Sequence, residues 1–204
     1  MSSSRLLTFA CLNDPGKVSD LALEMWARIL RAVPDSRLIL YARGTRDRQR
    51  AIQSLSAAGV DSRRVEFVGL LPIGDYLKQY QNIDIALDPT PWCGGTTTCD
   101  ALWMGVPVVS LAGQTAISRG GFSILSQIGL ADLVARSAEE YVSIAASLAG
   151  NAPRLTLLRK TLRQRMRLSP LVDAPGFARD FESKLRQMWI QWCERATTTR
   201  PTSG

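Results

Sequence analysis

The run Gly94-Gly-Thr-Thr-Thr-Cys-Asp100 is the stretch of this sequence best suited to holding an anion. Two glycines let a phosphate approach the backbone. A helix opening at Thr96 would add free N–H groups and the hydroxyls of Thr96, Thr97 and Thr98. That donor set suits a diphosphate, and Asp100, one turn further in, could accept hydrogen bonds from a ribose diol. The plainer account is a glycine turn with threonine caps and a carboxylate that complements the helix dipole. A second candidate is the turn Asn13-Asp-Pro-Gly-Lys17, where Lys17 is placed to meet a phosphate or is simply a solvated turn lysine. A third is Gly69-Leu-Leu-Pro72, which leads to Tyr76, a ring that either stacks on a base or packs. Neither the G-x-x-x-x-G-K-[ST] loop nor the G-x-G-x-x-G fingerprint occurs. No D-x-D pair offers to hold a metal-bound diphosphate, so a metal-independent site is expected, with helix dipole, hydroxyls and Lys17 neutralising the charge. Histidine is absent, which leaves carboxylates, Lys or Tyr for proton transfer. Cys11, Cys93, Cys99 and Cys193 form no CxxC pair, so reduced thiols are expected and a zinc site is not.

These residues need a frame that brings them together. With 204 residues and 46% hydrophobic content, one domain is expected over 1–195, followed by a polar, disordered tail over 196–204. The chain has no apolar run long enough to span a membrane, and its opening apolar stretch is too short for a signal peptide, so a soluble, cytoplasmic protein is expected. The formal charge of +7 is spread along helical segments and is not clustered beside aromatics, which favours a small anionic ligand over nucleic acid. Strands are expected at 6–12, 38–41, 65–68, 83–87, 106–111 and 133–135. Helices are expected at 19–32, 46–58, 75–81, 96–104, 118–128, 138–148, 153–168 and 175–194. This alternation makes an α/β fold, Rossmann-like, with a mostly parallel sheet and helices on both faces. Each candidate then follows the carboxyl end of a strand, where ligands of open α/β sheets bind.

Read together, several stretches resemble the C-terminal catalytic lobe of the protein O-GlcNAc transferase / SPINDLY family. They are residues 9–17, Trp26-Ala-Arg-Ile-Leu-Arg-Ala-Val-Pro34, Val65-Glu-Phe-Val-Gly-Leu-Leu-Pro72, Ile85-Ala-Leu-Asp-Pro, residues 94–107, Ser118-Arg119 and Ser169-Pro-Leu171. The resemblance covers about 7–193. It implies a GT-B glycosyltransferase whose C-terminal lobe binds UDP-GlcNAc, or GDP-fucose in SPINDLY-type members. An N-terminal lobe, with or without TPR repeats, supplies catalytic and acceptor-binding residues, and sugar passes to protein Ser or Thr with inversion. By the same resemblance, Lys17 contacts the phosphates and stabilises the leaving diphosphate, Thr96 and Thr97 bind phosphate, Asp100 holds the ribose and Leu71 offers its backbone to the base. Asp14 stands where the family often has Gln near the phosphates. Ile73, Tyr76 and Gln79 stand where well-studied members have Lys, His and Arg, and Cys93 replaces a common Asn. Gly95 replaces a histidine of animal enzymes and matches the bacterial and plant form. The chain is thereby expected to be the donor-binding half of such an enzyme and inactive alone. The alternatives are a non-catalytic nucleotide- or protein-binding module derived from that lobe, and a GDP-fucose transferase.

Overall fold

The computed structural model describes residues 6–198. Six parallel strands form one sheet: β1 (Leu7–Cys11), β2 (Ser36–Tyr41), β3 (Val65–Val68), β4 (Ile85–Leu87), β5 (Val108–Leu111) and β6 (Val134–Ala135), in the order β3-β2-β1-β4-β5-β6. Eight α-helices accompany them: α1 (Asp20–Ala32), α2 (Thr45–Ala57), α3 (Ile73–Gln79), α4 (Thr96–Trp103), α5 (Gly120–Gln127), α6 (Ala138–Ala149), α7 (Ala152–Arg167) and α8 (Ala174–Thr198). The chain steps outward from β1 through β2 to β3, returns to the centre at β4, and then steps the other way. Right-handed crossovers therefore place α1 and α2 on one face of the sheet and α4 and α5 on the other. Packing agrees: α1 lies against α2 and α6, and α4 against α5 and α7.

Local chemistry explains the elements. The Ser19 hydroxyl accepts the Ala22 N–H at 3.2 Å and starts α1. Ala22, Leu23, Trp26, Ile29 and Leu30 recur at helical spacing and are all buried. The strands carry apolar residues at successive positions, such as Phe9, Ala10 and Cys11, because both faces of a parallel sheet are covered. Gly59 and Gly105 close α2 and α4 with φ of 81° and 83°, the left-handed conformation glycine tolerates.

Several expected boundaries move. The strand expected at 83–87 begins only at Ile85, since the Ile83 N–H still turns back to the Tyr80 carbonyl (3.4 Å) to close the 3-10 turn Tyr80–Asn82. The strand expected at 106–111 begins at Val108, since the Val106 N–H goes back to the Ala101 carbonyl (2.8 Å) and Pro107 has no N–H to give the ladder. The helix expected from 118 starts as a 3-10 turn, Ala116–Arg119, under a capping box made by Thr115 and Ser118. The tail expected from 196 begins as helix, since α8 continues through Thr198; 199–204 lie outside the described residues.

Candidate functional site

Neighbouring strands β1 and β4 lead their helices to opposite faces, so the loops at their carboxyl ends border a crevice. Two loops far apart in sequence meet there. Val18 and Pro91 form an antiparallel bridge. The Lys17 ammonium lies 3.5 Å from the Cys93 carbonyl oxygen and 5.3 Å from the centroid of the Trp92 ring. Half-buried and held on two sides, Lys17 is fixed at the crevice. Asp14 shapes the turn before it: its carboxylate accepts the Gly16 N–H at 2.8 Å and pairs with Arg43. The Gly16 bond, followed by the Arg43 guanidinium, holds the Asp14 carboxyl below its ordinary range. Arg43 was not singled out from the sequence, because nothing local distinguishes it from the other arginines.

Across the crevice, α4 begins at Thr96 with Gly95 as its N-cap and no side chain capping its first N–H groups. Gly95 and Thr96 are exposed and Thr97 is half-buried. Thr98 departs from expectation: it is 2% exposed and its hydroxyl lies 3.4 Å from Asp88 Oδ1, so it faces inward and is not a surface donor. Helical rotation turns the third threonine into the protein.

Asp88, which sequence reasoning passed over, directly follows β4 and is 1% exposed. Its Oδ1 accepts the Gly94 N–H at 2.7 Å, and its Oδ2 accepts the Ser110 hydroxyl at 2.7 Å. Burial pushes the carboxyl up to about 6, against the pull of these bonds and of Lys17. The available signal was a carboxylate closing the apolar run Ile85-Ala-Leu.

Asp100 and Tyr76 form a second cluster. The Tyr76 hydroxyl donates to Asp100 Oδ2 at 2.9 Å and lies 2.7 Å from the Tyr80 hydroxyl, with the two rings edge-on at 5.4 Å. Burial raises the Tyr76 phenol to about 12, so it is a neutral donor at pH 7. Beside this cluster opens a cleft of about 400 Å³ walled by Asp14, Leu71, Tyr76 and Thr97, with apolar Leu12, Val68 and Ile73 and the amide of Gln79. Asp100 reaches this cleft through Tyr76, while Lys17, Gly95 and Thr96 lie outside its wall.

The model of glycosyl transferase family 41 matches residues 4–181. Proteins named probable UDP-N-acetylglucosamine–peptide N-acetylglucosaminyltransferase SPINDLY, from Hordeum vulgare and Arabidopsis thaliana, are each 39% identical over 94% of this chain and 21% of their own length. The UDP-N-acetylglucosamine–peptide N-acetylglucosaminyltransferase of Caenorhabditis elegans is 33% identical over 91% of this chain and 16% of its own. This chain thus spans about a fifth of the curated relatives it matches. The solved O-GlcNAc transferase of Thermobaculum terrenum aligns with a TM-score of 0.87 at 36% identity, over 96% of this chain and 38% of that one. The C-terminal domain of a group 1 glycosyl transferase from Francisella tularensis shares the fold, with a TM-score of 0.61 at 14% identity over 79% of this chain and 85% of its own.

Proposed function

The chain belongs to glycosyl transferase family 41, and from that premise we propose that it is the donor-binding lobe of a longer, inverting GT-B enzyme that moves GlcNAc from UDP-GlcNAc to protein Ser or Thr without a metal ion. The observation that carries this reading is the uncapped start of α4 beside the fixed ammonium of Lys17 at the β1/β4 crevice. A diphosphate there would take the first N–H groups of α4, the Thr96 and Thr97 hydroxyls and Lys17. The nucleoside would lie in the adjoining cleft, its ribose at Asp100 and its base along Leu71. As the glycosidic bond breaks, negative charge grows on the diphosphate. Donors already oriented toward it stabilise the transition state more than the bound sugar nucleotide. Lys17 and the helix start supply the positive charge that a metal supplies elsewhere. An N-terminal lobe would complete the enzyme by closing over the sugar and presenting the acceptor protein. This chain alone is then expected to bind donor without transferring it.

One observation favours a second reading. The Tyr76 hydroxyl already occupies Asp100, and Ile73 and Gln79 give the cleft an apolar, uncharged wall, as would suit a module that holds a nucleotide without turning it over. Calorimetry in EDTA with UDP, UDP-GlcNAc, GDP and GDP-fucose separates the possibilities. Uridine nucleotides are expected to bind without metal. Binding restricted to guanosine nucleotides would redirect the donor to GDP-fucose, dependence on added metal would remove the metal-free site, and no binding would overturn the nucleotide reading. Binding by a longer enzyme that transfers no sugar would leave the module reading.

A further inference from the structure

We infer that Asp88 is a positioning residue of this site: by holding the Gly94 N–H and the Thr98 hydroxyl, its buried carboxylate sets the loop and first turn of α4 in the shape that receives a diphosphate. The purpose assigned to that shape rests on the nucleotide reading; the geometry does not. Three elements converge on this carboxylate. It follows β4, accepts the Gly94 N–H at the mouth of the crevice, and is steadied from β5 by the Ser110 hydroxyl at 2.7 Å. Its own backbone carbonyl accepts the Tyr141 hydroxyl of α6 at 3.0 Å, and Tyr141 in turn accepts the Trp26 indole N–H of α1 at 3.3 Å. The loop is thereby tied through one residue to both layers of the fold.

The surroundings leave this anchor little freedom. A side chain at Gly94 would stand 2.4 Å from Thr98 Oγ1, 2.9 Å from Asp88 Oδ1 and 3.0 Å from Asn13 Oδ1; one at Gly121 would stand 2.0 Å from Ser110 Oγ and 2.7 Å from Asp88 Oδ2. Both glycines are there because the backbone must approach the carboxylate. A buried carboxylate is costly unless hydrogen bonded, and here the loop supplies the bonds. A bond to an ionised acceptor is about twice as strong as a neutral one, so the hold on Gly94 weakens when Asp88 takes up a proton. The titratable and charged groups facing Asp88 are Lys17, Cys11, Cys93 and Tyr141. Burial raises the two thiols and the phenol, so they stay neutral in the acid range, and Asp88 is the member of this cluster that changes charge near pH 6.

Amide hydrogen exchange on the full chain without ligand tests this. The reporters are Gly94, bonded to Asp88, and Cys99, bonded to the Gly95 carbonyl; β2 amides serve as the internal standard. Asp88→Ala and Ser110→Ala are expected to speed exchange at both reporters tenfold or more relative to β2. Asp88→Asn, which offers Gly94 a neutral acceptor, is expected at pH 7.5 to exchange faster than wild type and slower than Asp88→Ala. Wild type is expected to lose reporter protection between pH 7.5 and 5, after correction for intrinsic rates, and Asp88→Asn is not. Unchanged reporters in Ser110→Ala and Asp88→Ala, or acceleration equal to that of β2, would overturn the inference. Should Asp88→Ala fail to fold, Ser110→Ala and the pH comparison with Asp88→Asn decide alone. Titration with UDP and GDP keeps the two claims separate. A loosened loop with undiminished nucleotide affinity overturns the positioning role, while a wild-type chain that binds neither overturns the nucleotide reading and leaves the hold of Asp88 on the loop to the exchange data.

Discussion

Lys17 owes its place to two partners outside its own turn, Trp92 and the Cys93 carbonyl, and a lysine so fixed acts as a preorganised charge. In a longer enzyme carrying this chain, Lys17→Ala is expected to lower kcat about 100-fold while raising donor KM only modestly, the signature of an interaction that strengthens in the transition state; steady-state kinetics check it. Asp100→Ala is expected to weaken UDP binding by about 1 to 3 kcal/mol with the fold intact, as when a charged acceptor is lost, measured by calorimetry. Tyr76→Phe keeps the carboxylate and removes only its orienting hydroxyl, so its effect is expected to be the smaller. For Asp88 the prediction concerns stability. Its folded carboxyl titrates at about 6, above the ordinary 3.8, so the folded chain binds this proton more tightly than the unfolded one. The contribution is fully present below pH 3.8 and is lost as pH rises through about 6, a decline of about 3 kcal/mol. Asp88→Asn is expected to lack that decline, so urea midpoints of the two chains should converge in acid and separate by pH 7.5.

At the scale of the element, the glycine after α4 matters as much as the two before it. Gly105 has φ of 83°, and a side chain there would meet the Arg159 carbonyl oxygen of α7 at 2.7 Å. Gly105→Ala is expected to cost about 1 to 3 kcal/mol in denaturant unfolding, from backbone strain together with separation of α4 from α7. The strand–helix alternation was legible in sequence, and a glycine ending an apolar helical pattern is a local signal of a helix end; the approach of Gly105 to α7 is not. Strand beginnings at Ile85 and Val108 were less legible, since a short apolar run does not reveal where the ladder starts to bond. The Gly94–Asp100 run and the Lys17 turn could be picked out as candidates from residue type and spacing. The inward turn of Thr98, the engagement of Asp100 by Tyr76 and the anchorage of Asp88 could not, because they join residues 10, 24 and 22 positions apart and exist only once helices and strands are packed.

The last helix leaves the largest run of apolar side chains bare among the described residues. α8 packs on the 3-10 turn Pro170–Val172, and beyond that it exposes Phe177, Phe181, Leu185, Met188, Trp189 and Trp192, with Phe177 stacked on Phe181 and Trp189 on Trp192. So much apolar surface on one projecting helix promotes association. A chain ending at Asp173 is expected to keep its melting temperature within about 3 °C, since the helix contributes little to the core, and to shed concentration-dependent association; calorimetry and light scattering check the two halves. The strand order also sets a timetable for synthesis. β1 is made first but lies in the middle of the sheet, with Phe9 beside Leu38 on one side and beside Ile85 on the other. β2 can join it early and β3 can add to β2, whereas its second partner, β4, is made about 70 residues after β1 itself. Until then a growing chain carries the future centre of its sheet as a raw edge, the kind of surface on which strands of other molecules add. The hazard is one of waiting time, and it ends when β4 is laid down, the same event that brings the two halves of the crevice together.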